Sequence, residues 1–312
     1  MISLRYHIVS IAAVFLALAL GVVLGSTAVS DRLLSGLAGD RESLHEQVAD
    51  LQEERNALNA KLAAADRFTG TVGPTLVRGA LDQRTVVLIS AADASPADRD
   101  AVAELVRSAG GTVSGELQLT EAFADPGRAD QLRQLVTRLV PAGVQLPTAT
   151  DPGTLAGGLI GPLVLLGKES VQPQAKPEEV TAALSALTDG GFLRGGQDLR
   201  AAQLAVVLTG GAVGGAAAGD RAATVARFAT QLDRSGAGAV LAGRAGSADG
   251  TGPVGVVRAD TAAASVLSTV DNVDTAAGRT VTVLALRDEL NGRSGRYGAA
   301  GNAQAPAPMP AS

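Results

Sequence analysis

His7 and His45 are the only histidines in this 312-residue chain, and it has no cysteine. Both histidines precede the stretch in which a globular domain would fold. That domain therefore has no residues for a Ser/His/Asp triad, a cysteine nucleophile or a histidine-based zinc site. Carboxylates remain. No spaced Asp/Glu pair stands out, and Asp271 and Asp274, in the segment DNVD, come nearest to a hard-metal pair. Asp274 also precedes a helical pattern through Val281, Leu284 and Leu290, where an N-cap role is the favoured reading. Gly210, Gly211, Gly214 and Gly215 follow an apolar run and precede a helical stretch, the place for a phosphate-cradling loop. Their spacing fits neither the dinucleotide nor the Walker pattern, no lysine follows, and Arg221 is the nearest cation. A flexible glycine/alanine loop is favoured, with anion binding by backbone amides alone as the alternative. These residues assign no catalytic, cofactor-binding or metal-ligating side chain. The expectation is a non-enzyme, with carboxylate-only or nucleotide-dependent chemistry as a minor alternative.

Other elements must therefore carry the function. Residues 8–24 form an apolar run broken only by Ser10 and Gly21. As a helix it covers roughly 26 Å, slightly under a bilayer core, and Leu4 and Gly25 complete the span. Arg5 and His7 lie on the short N-terminal side, whereas the first charges beyond the run are Asp31 and Arg32. The expectation is a single-pass anchor over residues 1–28 in the cell membrane, with the N-terminus cytoplasmic and the bulk of the chain outside. A secretory signal cut after Ala28, with Ser26 and Ala28 as its small residues, is the alternative. The apolar run exceeds the usual signal-peptide core of about 7 to 15 residues, which favours the anchor.

Leu37, Leu44, Leu51 and Leu58 then recur every seven residues, so residues 29–68 are expected to form a coiled coil. With those leucines at d, the a positions are Leu34, Arg41, Val48, Arg55 and Leu62. An arginine at a can bury its stem and lead its charge past the flank of a dimer, whereas a larger bundle encloses that position, so two strands are expected. The predicted dimerisation residues are Leu34, Leu37, Leu44, Val48, Leu51, Leu58 and Leu62. Asp40 at g faces His45 at e across a parallel homodimer. An amphipathic helix folded back on the globular domain is the competing reading.

An apolar content of 46% fits a packed domain, and a net charge of −5 without Lys/Arg clusters excludes a nucleic-acid surface. Without cysteine, stability must come from burial. Residues 85–90 (TVVLIS), 162–166, 203–209 (QLAVVLT), 239–242 and 254–257 are short continuous apolar runs, the mark of parallel strands covered on both faces. Between them lie helical patterns. One starts at Ser95-Pro96 and buries Val102, Leu105 and Val106; one carries Leu132, Leu135, Val136, Leu139 and Val140 up to Pro141; one carries Val225, Phe228, Ala229 and Leu232. The expected class is α/β, a doubly wound, mostly parallel region in two halves, 82–145 and 158–298. The Pro/Gly-rich stretch 141–161 is either their boundary or one long loop. Residues 299–312 are expected to be a disordered Pro/Ala tail, either a spacer through wall polymer or a solvated terminus.

The opening MISLRYHIVSIAAVFLALALGVVLGS, the coiled coil behind it and the late segment STVDNVDTAAGRTVTVLALRDELNGRSGRYG resemble the actinobacterial family of mycobacterial copper transport protein B (MctB). The likeness spans nearly the whole chain apart from the tail. It implies a cell-envelope protein of copper efflux and homeostasis, described in that family as channel-forming in the outer envelope, with copper as transported ion rather than cofactor. Some relatives are associated instead with cell separation, which implies a non-catalytic coiled-coil adaptor with a wall-remodelling partner. Cu(I) prefers thiolate and thioether, then imidazole, and beyond His7 and His45 the chain offers only Met1 and Met309. A selective intrinsic copper site is therefore not expected, although Asp and Glu could line a weak, unselective cation path. Nor does the chain fit a membrane barrel, which needs long alternating strands and aromatic girdles, since aromatic content is 2% with no tryptophan.

Overall fold

The computed structural model describes residues 4–196 and 198–309, with residues 26–40 described by their helical backbone alone. The chain divides into two bodies, residues 1–65 and 66–312. The first is built from α1 (Leu4–Leu76), whose residues from 66 onward belong to the second. Within α1, the 22 residues Leu4–Gly25 are long and apolar enough to cross a membrane, and none is buried in the protein. Further along, Leu44, Val48, Leu51, Leu58 and Leu62 are 60%, 52%, 65%, 51% and 68% exposed, so this part of the heptad stripe stays open in the single chain. Leu34 and Leu37, and the Asp40 proposed to face His45, lie outside the described side chains. His45 Nδ1 sits 2.9 Å from the Arg41 carbonyl of its own helix.

The second body is a mixed α/β domain built on one seven-stranded sheet. Its elements run β1 (Thr85–Ser90), α2 (Pro96–Ser108), β2 (Thr112–Leu119), α3 (Glu121–Ala124), a 3-10 turn (Pro126–Arg128), α4 (Ala129–Arg138), α5 (Pro152–Val164), α6 (Pro177–Asp189) and β3 (Leu193–Gly195). They continue with β4 (Leu204–Thr209), α7 (Ala218–Ser235), β5 (Gly238–Gly243), α8 (Pro253–Ala259), α9 (Thr261–Ala264), β6 (Ser268–Val270), α10 (Ala276–Leu290) and β7 (Arg296–Tyr297). The strand order is β3-β2-β1-β4-β5-β6-β7. Neighbours are parallel except β2 and β3. Strands from both expected halves thus share one sheet.

Alternate side chains of the central strands feed two cores, because successive residues point to opposite faces. Val87, Ile89, Val207 and Leu241 pack with residues of α4, α5, α6, α7 and α8 on one face. Val86, Leu88, Val206 and Val240 pack with α2, α10, Val77 and Leu81 on the other. On the first face Phe123 meets Phe228 edge-on with ring centroids 5.2 Å apart, a contact worth roughly 0.5–1.5 kcal/mol beyond its area. On the second, the end of α1 docks to α10 through Asp66, whose Oδ1 accepts a 2.6 Å bond from the Ala276 amide in the first turn of α10. A carboxylate there answers both the orphan amides and the positive end of the helix.

Two of the expected strands are helices. Residues 162–164 end α5, with Leu165 and Leu166 just beyond it in isolated β-bridges, and residues 254–257 lie inside α8. In α5 the apolar run lies beside Gly153, Gly157 and Gly161, spaced four apart on one face. A Cβ at these positions would fall 2.3 Å from the Thr224 carbonyl, 2.8 Å from the Phe228 carbonyl and 2.3 Å from Ser235 Oγ, so the glycines let α5 lie directly on α7. The stretch 141–161 is therefore in part a packed helix. The Asp274 cap is also replaced: Thr275 caps α10 by accepting from the Gly278 amide at 3.0 Å, and Asp274 instead accepts from the Ala245 amide at 3.2 Å.

The tail expected to be free is hydrogen-bonded over part of its length. Gly298 donates to the Ala305 carbonyl and Gln304 to that of Arg296. A buried charge holds it. Arg258 and Asp271, each side chain 2% exposed, pair at 2.7 Å. Arg258 further donates to Thr269 Oγ1, Asn302 Oδ1 and the Tyr297 carbonyl, and Asp271 accepts from the Ala299 and Ala300 amides. Every strong donor and acceptor of the pair is thus engaged, which is the condition for a buried charge to persist. Replacing Arg258 with Ala strands Asp271 in the core. Urea denaturation should show a loss of about 3–5 kcal/mol, with faster proteolysis of residues 299–309, whereas a loss below about 1 kcal/mol would mean the pair is idle.

Candidate functional site

β1 and β4 are parallel, but the direction in which successive strands are added to the sheet reverses between them, so that their sequence neighbours lie on opposite sides. In open α/β sheets this leaves a crevice beyond the strands' carboxyl ends. Here β1 runs into the turn Ala91–Ala94, closed by a 3.1 Å bond between Ala94 N and the Ala91 carbonyl. β4 ends at Thr209, whose hydroxyl donates to Asp93 Oδ1 at 3.4 Å. Gly210 follows because a Cβ there would lie 2.7 Å from the Asp93 carboxylate and 2.8 Å from its carbonyl. The glycine/alanine loop then passes the crevice mouth into α7, where Ala217 provides no side-chain cap.

Two adjoining cavities share Ala92, Thr120, Glu121 and Arg221 in their walls. The smaller, about 200 Å³, has an apolar floor of Leu119, Phe123, Val225 and Pro253, with Asp93 and Thr209 at its edge. The larger, about 910 Å³, is lined by Gln118, Asp125, Arg128, Thr188 and Arg194 among others. Thr120 Oγ1 is committed to the Gly191 carbonyl at 2.6 Å, and Asp125 caps the 3-10 turn through the Gly127 amide. Arg128 is fixed by Gln131 and the Gly190 carbonyl, its guanidinium 4.8 Å from the centre of the Phe192 ring, a cation–π distance. Arg221 reaches back from α7 to the Gly214 carbonyl. The crevice can therefore offer guanidinium and carboxylate hydrogen bonds, but no imidazole or thiol for base or nucleophile work.

The residues singled out in the sequence fall in different places. Gly210 and Arg221 belong to the crevice, Asp271 to the ion pair with Arg258, and Asp274 to the Ala245 amide, so the DNVD carboxylates do not converge on a common site. Among the described residues no three His, Asp or Glu side chains gather as a metal group. Arg128 and Arg194 escaped sequence reasoning because neither belongs to a motif and they come from separate elements.

A family model described as "Copper transport outer membrane protein, MctB" matches residues 1–308. The copper transporter MctB of Mycobacterium tuberculosis is 43% identical over 303 residues, 96% of both chains, and that of Mycobacterium leprae is 42% identical over 306 residues, again 96% of both. The chain belongs to the MctB family. The segments that carry the resemblance noted in the sequence lie in α1 and in the run from β6 to β7, and the family match covers nearly the whole chain, as that resemblance implied.

A second ionisable pair in this MctB-family domain lies at the opposite, amino edge of the sheet. Asp233 Oδ1 accepts from the Ala239 amide at 2.7 Å where β5 begins, and Glu289 Oε1 accepts from the Ser268 amide at 2.9 Å where β6 begins. Burial pushes Asp233 up to about 6 and Glu289 up to about 8, and the Asp233 charge adds to the rise at Glu289, while Lys168 opposes both. The folded chain thus holds a proton on Glu289 that the unfolded chain, at its ordinary 4.5, has released. Stability from this group is full below that value and is lost as pH rises toward 8, at about 1.4 kcal/mol per pH unit in the window. Glu289→Gln, which keeps the acceptor and removes the titration, should flatten urea stability between pH 6 and 8. An equally flat wild type would contradict this protonation.

Proposed function

We propose that this protein is a single-pass envelope protein that serves copper efflux without an intrinsic high-affinity copper site. Leu4–Gly25 acts as inner-membrane anchor, the N-terminus faces the cytoplasm and the α/β domain stands outside. The copper assignment rests on the relatives named copper transporter MctB, at 42 to 43% identity over 96% of the chain. The observation that shapes the mechanism is the donor inventory. Cys is absent, histidine occurs only at 7 and 45, and methionine only at 1 and 309. Cu(I) selects soft sulfur and then imidazole, and carboxylates alone give at most weak, unselective cation contact. Copper handling is then indirect, through a partner that contacts the domain. The family description speaks of an outer membrane, whereas the anchor reading is supported by the 22-residue span and by strands that join in one open, helix-covered sheet.

Deleting the gene should raise cell copper, and the His7→Ala, His45→Ala, Met309→Ala triple variant should restore it fully. A variant that fails to restore copper while reaching normal levels in the membrane would establish a direct ligand role and defeat the indirect reading.

A second reading, a non-catalytic coiled-coil adaptor in wall remodelling or cell separation, is favoured by the open stripe Leu44, Val48, Leu51, Leu58 and Leu62. Half-exposed leucines at heptad spacing are normally covered by another helix, and a parallel homodimer covers all of them at once. Changing Leu44 and Leu51 to Asp places charge in that seam. The variant should sediment as monomer in detergent and reproduce the deletion phenotype, and a dimeric, fully active double variant would sink the adaptor reading.

A further inference from the structure

The crevice at the sheet's reversal point gathers several arginines without ion partners in one cavity. Other arginines of the domain stand beside carboxylates: Arg99 by Asp100 and Glu116, Arg133 by Asp130, Arg293 by Asp288, Arg258 by Asp271. Arg128, Arg194 and Arg221 come from the 3-10 turn, β3 and α7, converge on one cavity of about 910 Å³, and among the described residues none is ion-paired. The side chain of Arg194 makes no hydrogen bond among those residues. Arg221 uses Nη2 on the Gly214 carbonyl, while its Nε is buried without an acceptor. A buried N–H without a partner is costly, and with no carboxylate committed to them the remaining guanidinium N–H groups of Arg194 and Arg221 are available to an oxyanion in the cavity.

We propose that this crevice binds a small oxyanion-bearing molecule, with its phosphate or carboxylate on Arg194 and Arg221 and hydrogen-bond donors of its remaining part toward Glu121 and Asp125. The cavity volume falls in the range of small-molecule sites, and its position beyond the carboxyl ends of β1 and β2 is where such sheets seat ligands. Guanidinium suits the task because its planar fork matches the oxygens of carboxylate and phosphate. Arg128, stacked on Phe192 and tied to Gly190, is the rigid wall against which the other two can close. Three arginines outweigh the two carboxylates, so a simple anion still binds, and Glu121 and Asp125 favour one that also carries hydroxyl or amine groups. This site is independent of the copper reading and stands if that reading fails.

The test uses the full chain in detergent, titrated with inorganic phosphate and separately with citrate at constant ionic strength in chloride, followed by calorimetry and thermal unfolding. Saturable binding with a raised Tm is expected for at least one anion, weakened about tenfold by Arg221→Gln and by Arg194→Gln and unchanged in Arg287→Gln, a site outside the crevice. A response to phosphate alone identifies a phosphoryl ligand and to citrate alone a carboxylate ligand, and either supports the proposal. Arg194 is exposed on the short β3, so its variant carries the test even if Arg221→Gln unfolds. No saturable binding of either anion, or equal binding by wild type and both crevice variants, overturns it.

Discussion

Strands β1, β4 and β5 are buried along nearly their whole length, Thr85 at the start of β1 alone being partly exposed. Val86 to Ile89, Leu204 to Val207 and Ala239 to Ala242 are all fully buried, so apolar surface on both faces of the sheet has to be covered. That requirement dictates the rest of the domain: helices on both sides, parallel strands joined by crossovers, and connecting loops confined to the two edges. It also dictates where polarity can survive. Ionisable groups inside this frame persist only where a partner is built in, and Arg258 with Asp271 is the most complete case.

Asp98 shows the same rule at the carboxyl edge. It lies in the first turn of α2, 3.2 Å from Arg244 beyond β5 and 3.5 Å from Arg279 in α10. Burial pushes its carboxyl up, the two guanidiniums pull it down, and the nearby Asp274 adds to the rise. Three elements on one face are thereby joined by a single carboxylate. On the other face the same edge is left open, with arginines but no paired carboxylate. The carboxyl edge thus has a closed, charge-neutralised half and an open half suited to a ligand.

How much of this was legible depended on burial pattern. β1, β4 and β5 were readable because doubly buried strands give continuous apolar runs. The same signal misled at 162–166 and 254–257, since a short apolar run does not distinguish a strand from a buried helix. There the deciding facts were the glycines of α5 that need contact with α7, and Pro253 at the start of α8. β2 was missed because TVSGELQL lies toward one side of the sheet with most residues part-exposed, and β6 and β7 because they span only three and two residues. The crevice was half legible. Gly210 and Arg221 drew attention through the phosphate-loop comparison, but Arg128 and Arg194 join them only through the antiparallel addition of β3 to β2, which no local pattern announces. Asp233 and Glu289 likewise meet across the ends of α7 and α10, far apart in sequence.

The absence of cysteine and of histidine from the α/β domain acts in two directions. It removes thiolate and imidazole, two of the ligands with which a protein captures Cu(I), and it removes the thiol that copper's redox chemistry oxidises most readily, leaving the exposed Met309 as the domain's single thioether. Within the core, a guanidinium is not a metal ligand, and Asp271 is already satisfied by Arg258 and two backbone amides. Under the copper reading, inertness toward the ion is then a property the fold needs, because an envelope protein that trapped copper would hold back what its system exports. Under that reading selectivity comes from a partner, and the open leucine stripe of α1 is one exposed surface suited to meet it.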